Sequence, residues 1–314
     1  MYRFEIIPDT SSDLTKDLRD RFGINDYLHG IMYHPNGKEE VISLDWETMT
    51  PKEYYDSMKG RQALYTTATP RIGEIYELFE KYLSKGIDVL SISLSSGLSA
   101  SYANTVTVAE ELRVKYPERK IICIDSKRYS TSLSLLIIKA CLKRDEGASI
   151  DEVADYINSI KDTVHQIGSM DDLFFLVKTG RVTNFKALFG QMIGLNIMAD
   201  FNQNGMSEVI GKIKGQRDAI DADIKYMRET ITNPEEQIVF VAHTNREAAA
   251  QLLAKRIKEE ICPKEVILHT VGMACGATIG PGLCAAFYLG KPISENLNDE
   301  KALMANIIEN QKRK

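Results

Sequence analysis

The sequence lacks the features of several common protein classes. Its five cysteines are odd in number and scattered, with no Cys-x-x-Cys pair, so neither a disulfide framework nor a zinc site is expected. It also lacks an excess of basic residues, because 39 Lys and Arg stand against 44 Asp and Glu, and the net charge of −5 argues against broad nucleic-acid binding. The cysteine usage favours a reducing, cytoplasmic compartment.

The nucleotide-binding fingerprints are missing, since neither Gly-x-x-x-x-Gly-Lys-Ser/Thr nor Gly-x-Gly-x-x-Gly occurs. The N-terminal apolar run is too short for a signal peptide. Val266–Gly290 contains no Asp, Glu, Lys or Arg, but its glycines and Pro281 argue against a membrane helix. We predict a buried strand, a glycine-rich turn and a second apolar segment there, and at most transient contact with a membrane.

The 314 residues, 44% of them apolar and 26% charged, indicate a globular protein of two domains. Predicted strands at Phe4–Ile7, Val89–Leu94 and Lys120–Ile124 alternate with amphipathic helices, which is typical of a parallel sheet covered on both faces. A helix at Ile150–Ile160 leads into the second half. There we predict a further helix through Leu176, which stops at the segment Lys178-Thr179-Gly180-Arg181.

Three loops rich in hydroxyl groups follow candidate strands or open helices: Thr66–Pro70, with Thr69-Pro70 opening a helix, Ser95–Ser99 and Asp125–Lys127. One interpretation is structural, because a Ser or Thr before a helix is usually an N-cap. The other is functional, because ligands bind beyond the carboxyl ends of parallel strands, where hydroxyls and helix N-termini can hold an anion. Both interpretations stay open on spacing alone.

Other chemistry has weaker support. Gly97-Leu98-Ser99-Ala100-Ser101 lacks the second glycine of a hydrolase elbow, although His243 ends a predicted strand where a catalytic histidine could lie. The five histidines are far apart, so no metal site is expected. Asp9 and Asp13 are interpreted as turn and helix-cap groups rather than as a cation site.

The order and spacing of the loops resemble those of the DegV family of bacterial lipid-binding proteins. No single motif is specific, but the resemblance covers nearly the whole chain. The segments that carry it are Asp9–Leu14, Thr67–Pro70, Ser95–Tyr102, Asp125–Lys127, Lys178–Val182, Gly211–Gly215 and Gly280–Gly282.

The resemblance implies two α/β domains, which we expect at residues 1–160 and 161–314. The first would be a three-layer α/β/α domain with a parallel sheet, and the second a two-layer α/β domain with a mixed sheet. Such proteins enclose a long-chain fatty acid in a tunnel between the domains. They present it to a separate ATP-binding subunit of fatty acid kinase, and have no catalytic residues or cofactor of their own. The alternatives are a serine hydrolase and a phosphotransferase acting on a small acyl or phosphate substrate.

The family's carboxylate-binding residues map to Thr67 and Ser96, with Ser95 and Ser99 as neighbours. Where the family commonly has a histidine before Gly-Pro-Gly, this chain has Thr278, so that ligand is missing or replaced by a hydroxyl.

The residues implicated in docking the kinase map to Arg181 and Lys214. Lys214 replaces an arginine, which keeps the charge but loses the fork of donors. The uncharged segments Ala187–Ala199 and Val266–Gly290 are candidates for the tunnel wall, and ordinary core is the alternative for each of their residues.

Overall fold

The computed structural model describes residues 4–183 and 194–312. The chain forms two compact units. The first unit comprises Met1–Thr48, Leu64–Lys161 and Gly272–Cys275, and the second comprises Met49–Ala63, Asp162–Val271 and Gly276–Lys314. The domain bounds 1–160 and 161–314 stay a prediction.

The strands of the described residues are β1 (Phe4–Ile7), β2 (Ile31–Tyr33), β3 (Glu39–Val41), β4 (Thr66–Ala68), β5 (Asp88–Ser93), β6 (Ile121–Asp125), β7 (Val164–Met170), β8 (Val182–Thr183), β9 (Leu195–Phe201), β10 (Ser207–Lys214), β11 (Ile238–His243), β12 (Glu265–Thr270) and β13 (Leu283–Leu289). The α-helices are α1 (Lys16–Phe22), α2 (Pro51–Met58), α3 (Ile72–Leu83), α4 (Ser101–Lys115), α5 (Thr131–Asp145), α6 (Ile150–Ile160), α7 (Phe174–Thr179), α8 (Gln216–Thr230), α9 (Glu247–Glu260), α10 (Met273–Ile279) and α11 (Asn298–Lys312).

The first unit contains a parallel sheet in the order β1-β5-β6 and a small antiparallel sheet in the order β3-β2-β4. The helix pair α3 and α4 packs over the parallel sheet and buries Ile7, Val89 and Ile121. The helices α5 and α6 form a second packed pair that contacts the same strands. Apolar β-strands covered in this way confirm the predicted α/β/α layers.

The second unit contains a mixed sheet in the order β12-β11-β13-β7-β9-β10-β8. Its outer pairs β11–β12 and β8–β10 are parallel, and its inner pairs are antiparallel. The helices α8, α9 and α11 supply the other side of the core, in which Ile220, Leu253 and Met304 are buried. The two-layer α/β architecture with a mixed sheet is therefore confirmed.

The helix predicted through Leu176 was wrong, because Val164–Met170 forms the strand β7 and only the short α7 follows it. β7 lies between β13 and β9, which come much later in the chain. A side-chain carbon at Gly168 would collide with Ala285 on β13. This close strand pairing is a long-range effect that a local apolar pattern cannot reveal.

Two smaller expectations were also wrong. The segment Thr66–Ala68 is a strand paired with β2, and the helix after it begins at Ile72 rather than at Thr69-Pro70. The glycine-rich segment after β12 contains the helix α10 rather than only a turn. Gly276 is needed for packing there, since a side-chain carbon would collide with Tyr55.

No helix among the described residues is long and apolar enough to cross a membrane. Val266–Gly290 instead contains β12 without its first residue, all of α10 and all of β13, and the interior residues of β13 are buried.

Candidate functional site

The serine loop, Ser95–Ser99, follows β5 in the first unit. Ser95 is buried, and its amide donates a 2.9 Å hydrogen bond to the carbonyl oxygen of Arg128. Its Oγ accepts a 3.1 Å hydrogen bond from the amide of Gly97. The oxygen of Ser95 therefore holds the turn, which is the structural interpretation of this hydroxyl.

Ser96 is exposed and lies beside a charged pair. Its amide donates to Oδ1 of Asp125 at 3.0 Å, and its Oγ accepts from Nζ of Lys127 at 2.8 Å. Nζ of Lys127 also lies 2.8 Å from Oδ2 of Asp125. Burial alone would raise the pKa of Asp125, but hydrogen bonds from Lys127 and Ser96 outweigh it and hold that pKa below its ordinary value. The carboxyl edge of β5 and β6 thus presents a hydroxyl in contact with a cation.

Ser99 lies at the start of α4. Its Oγ is 3.0 Å from Oγ of Ser101 and accepts a 3.2 Å hydrogen bond from the Ser101 amide. These contacts organise the first turn of the helix, where backbone amides need acceptors. That Ser95 and Ser99 contact a ligand stays a prediction.

Thr67 lies in the middle of β4, paired with Met32 of β2, and is half-buried. Its hydroxyl makes no hydrogen bond to any other residue in the described part of the chain, so it can donate to a ligand. Two residues on, Oγ1 of Thr69 accepts a 3.0 Å hydrogen bond from Asn104. This bond brings the end of β4 beside α4, the helix that follows the serine loop.

Thr278 belongs to the second unit, near the end of α10, and is half-buried. The turn after it contains Gly280, with a φ of 73°, where a side-chain carbon would collide with Phe175. The amide of Gly282 then donates to the carbonyl oxygen of Thr244 at 2.8 Å, and the amide of Leu283 donates to Oγ1 of the same threonine at 2.8 Å. The Gly-Pro-Gly turn is therefore held against the end of β11.

The two residues mapped to kinase docking lie at opposite ends of one strand pair. Arg181 follows the left-handed Gly180 that ends α7, as predicted, and precedes β8, which pairs with the Ser207 end of β10. Lys214 is the last residue of β10 and is exposed. At about 3.3 Å per residue, some 23 Å of strand separates Ser207 from Lys214. A partner that contacts both side chains must cover that length.

The hydrogen bonds of a serine hydrolase triad are not formed by the residues considered for it. The hydroxyl of Ser99 contacts that of Ser101. Neither ring nitrogen of His243 has a hydrogen-bond partner among the described residues, 4–183 and 194–312. His165 is buried and bonded to Asp200 and to the carbonyl oxygen of Lys291. Within those same ranges, no group of three or more His, Cys, Asp or Glu could hold a metal ion.

Sequence reasoning missed the role of Lys127. The Asp125–Lys127 loop was considered for its hydroxyl and for the amides at the start of the next helix, whereas the structure brings the ammonium group to Ser96. The sequence did offer a signal, because Lys127 lies two residues beyond the end of β6 and the serine loop follows the neighbouring parallel strand β5.

A family model described as "Uncharacterised protein, DegV family" matches residues 3–291. A DegV domain-containing protein of Clostridium perfringens is 29% identical over 290 residues, which cover 92% of this chain and 98% of that protein.

Solved structures show the same fold. A DegV family protein from Thermus thermophilus, described for its fatty acid binding, matches with a TM-score of 0.82 and 22% identity, over 92% of this chain and 100% of that one. DegV from Bacillus subtilis, described as a fatty acid binding protein, matches with a TM-score of 0.77 and 22% identity, over 93% and 100% of the two chains. At this identity the likeness establishes the two-domain α/β fold.

Proposed function

Because the chain belongs to the DegV family, we propose that it is a lipid-binding protein that holds one long-chain fatty acid in an apolar tunnel. The observation that carries the proposal is the match over nine-tenths of the chain to proteins described as fatty acid binding. The carboxylate is held by hydroxyl groups at the loop edge of the first unit, and the protein needs no cofactor.

The headgroup contacts are assigned to Thr67 and Ser96. The unpartnered hydroxyl of Thr67 is a ready donor, and the Ser96 hydroxyl is exposed at the loop edge, where Lys127 donates to its oxygen. Nζ of Lys127 adds a charged N–H donor, already oriented by its pairing with Asp125. Ser95 and Ser99 are retained in the proposal as hydroxyls of the same loop, and Thr278 is retained as a candidate carboxylate contact at the position of the family's histidine.

The tail supplies the affinity. Burying about 15 methylenes at roughly 0.8 kcal/mol each gives at most about 12 kcal/mol before the entropy of ordering the chain is subtracted. We assign the tunnel wall to Val266–Gly290 and to the segment around β9. Of the segment Ala187–Ala199, residues 187–193 lie outside the described residues, and the remainder includes Ile197 and Met198, both buried.

We further propose that the protein presents its fatty acid to an ATP-binding kinase subunit, which forms the acyl phosphate. Arg181 and Lys214 are the docking residues in this proposal, and both leave their charges at least partly exposed. Lys214 gives a single ammonium in place of a guanidinium fork, so we expect it to contribute long-range attraction more than a geometrically defined contact.

The test of binding uses the purified full chain, stripped of lipid, with Thr67→Val and Ser96→Ala. Each variant removes a donor to a buried carboxylate, worth about 1–3 kcal/mol, so we expect affinity for a C14–C18 acid to fall roughly 5- to 150-fold. Thr66→Val is the matched control, because Thr66 is the exposed neighbour on the same strand. Absence of acid binding by the parent contradicts the function, whereas unchanged binding by both variants contradicts only the assigned headgroup residues.

The docking proposal is tested separately, by acyl phosphate formation with the ATP-binding subunit from the source bacterium. Arg181→Ala and Lys214→Ala should lower the rate while leaving fatty acid affinity unchanged. Lys258→Ala, on the exposed face of α9, is the control for loss of a surface charge. Equal rates for all four proteins would show that the partner does not use this strand pair.

A further inference from the structure

The second unit contains a cavity of about 470 Å³ at the carboxyl ends of β11 and β12, which we call the strand-end cavity. Its walls include His243 and Asn245 from the end of β11, His269 and Thr270 from β12, and Lys52 from α2. All of these residues belong to the second unit, whereas Thr67 and Ser96 belong to the first.

The topology around this cavity is that of a ligand site in α/β proteins. β11 and β12 are adjacent parallel strands joined by α9. Ligands in such units bind beyond the carboxyl ends of the strands, beside the N-terminus of the connecting helix. α9 is 14 residues long, and no side chain caps its N-terminus, so its first amides keep their capacity to donate to an anion.

His243 gives the independent indication of a ligand. It is 8% exposed, it lines the cavity, and its Nδ1 is buried without a hydrogen-bond partner in the described part of the chain. An imidazole always carries a donor or an acceptor on each ring nitrogen, and a buried group without its bond is destabilising. Nε2 of His243 also has no hydrogen-bond partner among the described residues, and unlike Nδ1 it is not enclosed, so a molecule in the cavity would bond to Nε2.

The strand end that carries His243 is held in place from two sides. The carbonyl oxygen of His243 accepts a 3.1 Å hydrogen bond from the amide of Val271. The carbonyl oxygen of Val271 in turn accepts a 2.7 Å hydrogen bond from the Tyr55 hydroxyl. Asn245, with a left-handed φ of 59°, donates a 2.9 Å bond to Asp56 of α2. The cavity is therefore shaped before any ligand enters.

The charged groups around the imidazole nearly balance. Glu247 of α9 and Lys52 of α2 both line the cavity, and Lys52 is paired with Asp56. Burial lowers the pKa of His243, and burial also lowers the pKa of His269 to about 4, so both imidazoles are neutral at pH 7. An anion that enters would therefore be bound together with a proton on His243, near the positive end of α9.

We propose that the strand-end cavity binds the oxyanion group of a small organic molecule, with His243 and the N-terminal amides of α9 as its donors. The cavity is far larger than a bare oxyanion, and Pro51 and Leu268 offer apolar surface to the rest of the ligand. This site is separate from the proposed fatty acid headgroup site and does not depend on it.

The test follows the histidine ring signals of the full chain by NMR as a function of pH, with a long-chain acid present in excess. The probes are phenyl phosphate, benzoate and, as the uncharged analogue, benzyl alcohol. The His243 signal is assigned by its loss in His243→Asn. We expect one of the two anions to raise the pKa of His243 by at least one unit. By linkage, that anion then binds at least tenfold more tightly when His243 is protonated than when it is neutral.

The controls separate this result from general effects of salt. The ring signals of His34, which pairs with Glu40 in the first unit, should not move when either anion is added. His243→Asn should abolish anion binding yet leave fatty acid affinity unchanged. If neither anion moves the His243 titration, or if anion binding persists in His243→Asn, the proposal is wrong. The anion that succeeds distinguishes a phosphate ligand from a carboxylate.

Discussion

Two positions in the second unit bury an aspartate completely, and the surroundings of the two differ. Asp200, on β9, contacts Nδ1 of His165 at 2.7 Å and accepts a 3.0 Å hydrogen bond from the Tyr226 hydroxyl. Two backbone amides also donate to its Oδ1. Asp223, on α8, has no hydrogen-bond partner for either carboxylate oxygen within residues 4–183 and 194–312.

The pKa values of these two carboxyls move in opposite directions. Burial would raise the pKa of Asp200, but His165 outweighs it and lowers that pKa. Burial raises the pKa of Asp223 well above its ordinary value, and the charge of Arg246 offsets this only in part. Equal burial thus leads to opposite pKa shifts, because only Asp200 has partners that replace water.

The largest effect is expected for Asp200→Asn. The substitution keeps the shape but leaves the buried imidazolium of His165 without its counter-ion, and breaking a buried pair from one side costs about 3–5 kcal/mol. Chemical denaturation should show this loss in the free energy of unfolding. The double variant with His165→Gln should lose less than the sum of the two single variants. A loss below about 1 kcal/mol would mean that the pair is not charged in the folded protein.

Asp223→Leu should change the free energy of unfolding in the opposite direction and stabilise the folded protein. Removing a buried carboxyl without hydrogen bonds relieves a desolvation penalty of about 1–3 kcal/mol, so the free energy of unfolding should rise. Asp223→Asn is the control, because its amide stays buried and should stabilise much less. Greater stability of the parent than of Asp223→Leu would indicate that Asp223 has a partner, such as a bound molecule, in solution.

The same comparison predicts a pH dependence. The folded-state pKa of Asp223 is raised, so the folded protein retains a proton that the unfolded chain releases above about pH 4. Stability contributed by this group is therefore present at low pH and lost as pH rises toward the folded-state pKa. The advantage of Asp223→Leu over the parent should be smallest near pH 4, where only the buried carboxyl without hydrogen bonds contributes, and should grow as pH rises toward 7.

Much of the fold was predictable from local pattern. The strand at Phe4–Ile7 and the helix at Ile150–Ile160 appear at the predicted residues, because their apolar periodicity and end signals agree. β7 was missed because its evidence lies in the distant strands β13 and β9, and Gly168 serves a contact with Ala285 rather than a turn. Partner-dependent strands of this kind cannot be recognised from a single segment.

The candidate site shows the same limit. The hydroxyl loops were recognisable because each follows a strand or precedes a helix, but the contact of Lys127 with Ser96 depends on the neighbouring positions of β5 and β6. His243 was considered as a catalytic base and not as part of a separate cavity. The cavity beside His243 is formed by the packing of α2 and β12. These two elements are separated in the sequence by more than two hundred residues, so no local pattern indicates the cavity.

The smallest effect is expected at Tyr55, which shows what one neutral hydrogen bond contributes. Its hydroxyl donates to the carbonyl oxygen of Val271, and both residues are buried. Tyr55→Phe leaves that carbonyl without this donor but leaves no charge uncompensated, so the loss should be about 1 kcal/mol, well below that of Asp200→Asn. Tyr33→Phe, at an exposed tyrosine without a side-chain hydrogen bond, is the matched control and should change little. If Tyr55→Phe lowers the free energy of unfolding as much as Asp200→Asn does, the number of hydrogen bonds lost does not determine the cost of a substitution at these two positions. The position of α2 against the end of β12 would then be the controlling factor.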